Sequence, residues 1–141
     1  MDEIIKGLYL GDIEDAINAP EDFVIVNVAG TRSYKGWSKE KARKLFSHQT
    51  YVIPLYHDNG NSEIYDIPNY YMVVVAVDMI ATLLKTLGEK NVLVHCWHGI
   101  DRSPFVVATY LKIHEDMESG EAYGLIKQKR PMIAEHYEWW D

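Results

Sequence analysis

Cysteine is nearly missing from this chain: its 141 residues include one, Cys96. A single thiol excludes an intrachain disulfide framework and any zinc centre built from several thiolates, and it suits a reducing compartment. Proline and glycine are sparse too, 5 and 9 residues. They fall as punctuation between short periodic segments, so no linker, repeat or low-complexity tract divides the chain. One domain over residues 1–141 is expected. Basic residues are outnumbered, 14 Lys and Arg against 21 Asp and Glu, giving a net charge of −7. The summed field repels polyanions, which disfavours nucleic acid and anionic membrane surfaces as partners. Long apolar runs are also missing. The longest, Tyr70 to Val77, stops at Asp78 well short of a membrane span, and the opening Met-Asp-Glu-Ile-Ile-Lys-Gly is acidic and unlike a leader. A cytoplasmic protein is expected, and any anion it binds must be held by a local device.

What the chain does have is a regular alternation of patterns. Leu8 to Leu10 closing on Gly11, and Phe23 to Val28 closing on Gly30, are short apolar β-branched runs that predict strands. Tyr51 to Leu55 and Asn91 to Val94 continue the series. The runs Val24 to Val28 and Val92 to Val94 are nearly continuous in apolar residues, as in parallel strands covered on both faces. Helical patterns lie between them over Asp12 to Asn18 and over Ser38 to Phe46, the second opening on a Ser N-cap. The longest helix is expected over Asn69 to Leu87, with Val73, Val77, Ile80, Leu84 and Leu87 on one face and Gly88 ending it. Phe105 to His114 and Glu121 to Lys129 complete the set. The fold class expected is α/β: a mostly parallel central sheet flanked by helices on both faces.

The chemistry concentrates in His95-Cys96-Trp97-His98-Gly99-Ile100-Asp101-Arg102-Ser103-Pro104, where a strand ends and a helix begins. A strand-to-helix loop in a parallel sheet aims its backbone N–H groups, and the positive end of the helix dipole, at one point outside the sheet. Such a cradle binds phosphate, and the same field favours a thiolate at its mouth. Arg102 follows Cys96 by six positions. In a curled loop that spacing can bring the guanidinium fork back to the rim, to make paired charge-assisted bonds to phosphoryl oxygens. Gly99 permits the positive φ or close approach the curl needs. Ser103 can donate a hydrogen bond to the sulfur. Trp97, His98, Ile100 and Asp101 would contribute backbone groups to the same substrate-binding loop. His95 reads as a hydrogen-bonding orienter beneath it. A metal site on His95 and His98 is the weaker reading, since Gly99 and Arg102 would have no purpose in it and no nearby carboxylate or thiol completes a clean set.

This segment resembles the signature loop H-C-x-x-G-x-x-R-S/T of cysteine-dependent protein phosphatases, and the small size of the chain is similar to the dual-specificity branch. Ile4 to Gly11 resembles the first strand of that branch, Val26 to Ala29 its next strand, and Lys129-Arg130-Pro131 its last helical turn. The resemblance implies a reaction in two steps without cofactor or metal, in which Cys96 attacks phosphorus and water hydrolyses the phosphocysteine. It also implies a carboxylic acid on a loop that protonates the leaving oxygen. Asp58, at the carboxyl end of the strand Tyr51 to Leu55, is favoured as that acid. Asp66, just ahead of the long helix, reads better as a turn or cap residue. Asp101 is a third candidate, because similar C-x-x-G-x-D-R loops occur in lipid phosphatases of the myotubularin type. An acid beside a phosphate cradle repels a dianion unless it is protonated or turned away.

The substrates expected are phosphorylated proteins, with phosphotyrosine and also phosphoserine or phosphothreonine admitted to a shallow site. His98-Gly99 resembles the loop of RNA 5′-phosphatases of the same superfamily as well, a reading that the −7 charge opposes. A phosphoprotein-binding module without turnover is the other alternative, against which the intact Cys96, Arg102 and Ser103 speak. An arsenate-reductase-like role would need further thiols. Tyr137 to Trp140 reads as an aromatic tail packed on the domain, and Lys127, Lys129 and Arg130 as a solvated helix face.

Overall fold

The computed structural model describes residues 1–56, 67–86, 88 and 90–141. The strands are β1 (Asp2–Ile5), β2 (Leu8–Gly11), β3 (Phe23–Asn27), β4 (Thr50–Val52) and β5 (Asn91–His95). The helices are α1 (Ile13–Ile17), α2 (Lys39–Leu45), α3 (Tyr70–Thr86), α4 (Arg102–His114) and α5 (Ser119–Lys129), with 3₁₀ turns at Thr31–Tyr34 and Tyr137–Trp140. The sheet order is β1-β2-β5-β3-β4. β5 lies parallel between β2 and β3, with His95 opposite both Gly11 and Asn27. Because β5 comes last in sequence yet sits in the centre, its carboxyl end opens at the point where strand order reverses, the usual place for a ligand in such sheets.

Side chains alternate across the sheet with period two, and each face buries its own set. Leu8, Leu10, Val24, Val26, Val92 and Val94 face the larger core beneath α3, α4 and α5. Phe23, Ile25 and Leu93 face the smaller one with Ala16 of α1 and Leu45 of α2. The two-sided α/β sandwich is therefore the one read from the strand patterns. α4 is held hardest: Phe105, Val106, Val107 and Leu111 are almost fully buried, each contributing about 1.5–3 kcal/mol of transfer free energy. That burial fixes the helix whose N-terminus forms the site.

The helix caps follow the local chemistry. Asp12 caps α1 through a reciprocal capping box with Asp15, and Ser38 caps α2 by accepting from Lys41 N. α3 buries Val73, Ala76, Val77, Ile80 and Leu83, and Gly88 beyond it takes φ +63°. Three boundaries differ clearly from expectation. The strand expected over Tyr51 to Leu55 is β4 over Thr50–Val52, ending three residues earlier. The stretch Ile4 to Gly11 is not one strand: Gly7 takes φ +84° and turns β1 back antiparallel on β2. α4 starts at Arg102, three residues before Phe105, so Arg102 and Ser103 belong to its first turn. Among the described residues no helix is long and apolar enough to cross a membrane.

Candidate active site

The loop after β5 is tied down through its carbonyls. Val28 N donates to His95 O (2.9 Å), Ile13 N to Trp97 O (3.2 Å), Ala134 N to Ile100 O (2.9 Å) and Phe105 N to Asp101 O (3.3 Å). His95 Nδ1 donates to Cys96 O at 2.9 Å. Arg130 takes the remaining two, donating from Nη2 to His98 O at 3.0 Å and from Nε to Gly99 O at 2.9 Å. Every carbonyl from His95 to Asp101 thus accepts a hydrogen bond from the protein. Among the described residues, no amide from Trp97 to Asp101 donates one. A loop whose acceptors are all used and whose donors are free presents a positive concavity to an anion.

Glycine is required at the centre of the curl. Gly99 takes φ +67°, and a Cβ there would lie 2.6 Å from Gly11 O and 2.7 Å from Arg130 Nη2. Cys96 follows β5 at 2% exposure, its Sγ 3.2 Å from Ser103 Oγ. The Ser103 hydroxyl can donate to a sulfur that carries charge. The Arg102 guanidinium is 8% exposed and lies over the Tyr56 ring, Cζ 5.9 Å from its centroid. Arg102 Nε has no hydrogen-bond partner among the described residues, although a buried donor left unpaired costs about 1–3 kcal/mol. Trp97 and His98 turn outward from the loop and are exposed.

Beneath the loop His95 is fully buried, and desolvation depresses its pKa from 6.5 to about 4. The ring is therefore neutral at pH 7, with its proton on the Nδ1 that holds Cys96 O. This agrees with the orienting role expected of it.

Asp101 is turned away from the helix end. Its Oδ1 accepts from His136 Nε2 at 2.7 Å, while His136 Nδ1 faces Glu138 Oε1 at 2.9 Å. That hydrogen bond from His136 lowers the Glu138 carboxyl below the ordinary range. Asp58 and Asp66, the other two acid candidates, lie outside the described residues.

One reading is corrected. Lys127 does lie on an exposed face, 3.8 Å from Glu135. Arg130 is not solvated: it is 7% exposed, bound to two loop carbonyls and paired with Asp2 Oδ2 at 2.9 Å. In a run of Lys, Gln, Lys and Arg nothing local separates the one buried cation from its neighbours. The break of the helix at Pro131 was the available signal, since a residue at a helix end can turn inward. His136 was likewise not singled out, because its partner lies 35 positions earlier. The aromatic tail packs as expected, with Trp139 edge-on to Phe105 at 5.3 Å.

A thiol at the carboxyl end of a central parallel strand, followed by a loop held through its carbonyls and by an arginine in the first turn of a buried helix, is the arrangement of cysteine-loop phosphatase folds. Residues 8–141 match the model of the dual specificity phosphatase catalytic domain, and the chain belongs to that family. Dual specificity protein phosphatase 5 of Homo sapiens is 30% identical over 136 residues, which cover 96% of this chain and 32% of that protein. Dual specificity protein phosphatase 4 of Gallus gallus is 27% identical over 135 residues, covering 96% and 33%. The chain thus spans about a third of the length of these curated relatives. Among solved structures, human DUSP28 superposes with a TM-score of 0.70 at 17% identity, covering 99% of this chain and 90% of that one. A human tyrosine phosphatase-like serine/threonine/tyrosine-interacting protein gives 0.69 at 22%, covering 99% and 89%. At such identities these structures share the fold.

Proposed function

We propose that this chain hydrolyses phosphoric monoesters on proteins, phosphotyrosine and also phosphoserine or phosphothreonine, through a phosphocysteine intermediate. The observation that carries the proposal is the loop itself: its carbonyls from His95 to Asp101 all accept hydrogen bonds, no amide from Trp97 to Asp101 donates one among the described residues, and Cys96 Sγ at its start lies 3.2 Å from Ser103 Oγ. Family membership supports the same reading.

In the first step Cys96 Sγ attacks phosphorus and the bond to the leaving oxygen breaks. The leaving oxygen takes a proton from a carboxylic acid, for which Asp58 is proposed. Asp101 suits that role less well, because its carboxylate is already engaged by His136. The loop amides and the Arg102 fork hold the three equatorial oxygens as charge builds on them. In the second step water attacks phosphorus and gives up a proton to the same carboxylate, while the S–P electron pair returns to sulfur. Ser103 Oγ–H, 3.2 Å away, stabilises the departing thiolate. Inorganic phosphate leaves. The −7 charge favours a single phosphate on a protein over a polyanion, and a lone thiol nucleophile suits a reducing, cytoplasmic setting.

The test is turnover of a phosphotyrosyl peptide and of an activated aryl phosphate, with rapid quenching to trap phosphoprotein. Cys96→Ser is expected to abolish both activities while still binding phosphate. Ser103→Ala is expected to accumulate phosphocysteine with kcat lowered about tenfold or more. Asp58→Asn is expected to slow the peptide at least tenfold more than the aryl phosphate, whose leaving group needs no proton. Wild-type protein that binds phosphate yet turns nothing over would favour the binding-module reading.

A further inference from the structure

Asp101 stands at the N-cap of α4, a position where aspartate normally folds its carboxylate over the helix end to accept from the first free amides. Three helices of this chain are capped in that way: Asp12 Oδ1 accepts from Asp15 N at 2.8 Å, Ser38 Oγ from Lys41 N at 3.1 Å, and Asn69 Oδ1 from Tyr71 N at 3.0 Å. Asp12 and Ser38 have extended backbone, with ψ −177° and 159°. Asp101 has ψ −66° and makes no side-chain cap bond. Its carboxylate is held at 2.7 Å by His136 Nε2 instead. Pro104, three residues on, has no N–H to offer, so a capping Asp101 would turn to Ser103 N, next to the hydroxyl that meets Cys96 Sγ at 3.2 Å, and its charge there would repel an incoming dianion.

His136 is itself firmly placed. Its ring stacks on Trp139 with centroids 3.7 Å apart and planes 4° from parallel, and Trp139 is buried against Phe105 of α4. Its backbone N donates to Tyr123 Oη at 3.1 Å, and Ala134 N two residues earlier holds Ile100 O. Glu138 Oε1 on Nδ1 fixes the second ring nitrogen. We infer that His136 is a positioning residue that keeps the Asp101 carboxylate out of the anion cradle, so that the loop amides and Arg102 remain available to phosphate. The inference rests on the phosphatase reading above.

The experiment measures oxyanion binding without turnover, as the concentration of inorganic phosphate or tungstate that half-protects Cys96 from alkylation by iodoacetamide. His136→Phe keeps a ring to stack on Trp139 and removes the donor. It is expected to raise the half-protecting concentration about tenfold, the order set by one like charge released near the site. Adding Asp101→Asn is expected to bring it back to within about threefold of wild type, and His136→Gln, which keeps an N–H donor, to stay within the same range. Asp101→Asn alone is expected to bind phosphate at least as tightly as wild type, which checks the inference even if His136→Phe does not fold. Unchanged binding in His136→Phe, a loss that survives Asp101→Asn, or weaker binding in Asp101→Asn alone would each overturn it. Absence of protection in the wild type would instead remove the phosphate site itself, and this inference with it.

Discussion

Arg102 closes the loop in sequence and Arg130 binds its carbonyls from behind, and the two are buried to nearly the same degree, 8% and 7% exposed. Behind the loop, Arg130 spends its donors on His98 O, Gly99 O and Asp2. In front, Arg102 lies over the Tyr56 ring, and its Nε has no hydrogen-bond partner among the described residues. A buried cation that makes its bonds holds a structure together. One that leaves them unmade is a cost to the fold, and such costs gather where a ligand completes the site. Arg130 is thus a stabilising contact, and Arg102 is the residue the proposed phosphate site would use.

Substitutions should separate the two. The largest effect is expected for Arg102→Met: kcat/KM on an aryl phosphate falls by roughly 10²–10³ or more, while urea unfolding shows stability unchanged or raised. A loss of several kcal/mol there would erase the distinction. Arg130→Met should do the converse, lowering stability by about 2–4 kcal/mol as two carbonyls and Asp2 lose their donor, with a smaller loss of rate. Gly99→Ala tests the contact between the two sides. Its Cβ would meet Gly11 O and Arg130 Nη2 and its φ stays positive, so a cost of about 2 kcal/mol is expected in the same measurement.

The smallest effect is a pH dependence carried by His95. Its folded pKa, about 4, is depressed below the unfolded 6.5 by burial. Between those values the unfolded chain binds the extra proton, so stability rises with pH through the window and is lost as pH falls through it. About 2 kcal/mol should disappear between pH 7 and pH 5, and His95→Asn should flatten that slope. An equal slope in the variant would assign the effect elsewhere.

The front of the loop was legible in the sequence and the back was not. Cys96, Gly99, Arg102 and Ser103 lie within eight residues at a strand-to-helix junction, so spacing alone brings them together. The two-faced sheet was legible for the same kind of reason: Val24, Val26 and Val92 alternate with Ile25 and Leu93 in unbroken apolar runs. The partners behind the loop come from far away. Arg130 reaches Asp2 across 128 positions and His136 reaches Asp101 across 35, and no local pattern announces either. β1 was hidden because only Ile4 of its four residues is buried, leaving no alternation to read.

The Arg130 clamp also bears on the order in which the protein is made. Synthesis runs from the N-terminal end, so Cys96 and its loop leave the ribosome before Arg130, Ala134 and His136 exist to hold them. Until then Gly99 O and His98 O lack their donors, and Asp2 lacks its counter-charge. The cradle can close only when the last tenth of the chain folds back past α5 onto the first strand, a non-local contact of the kind that forms slowly. A nascent or truncated chain lacking that stretch would carry the cysteine without a finished site around it.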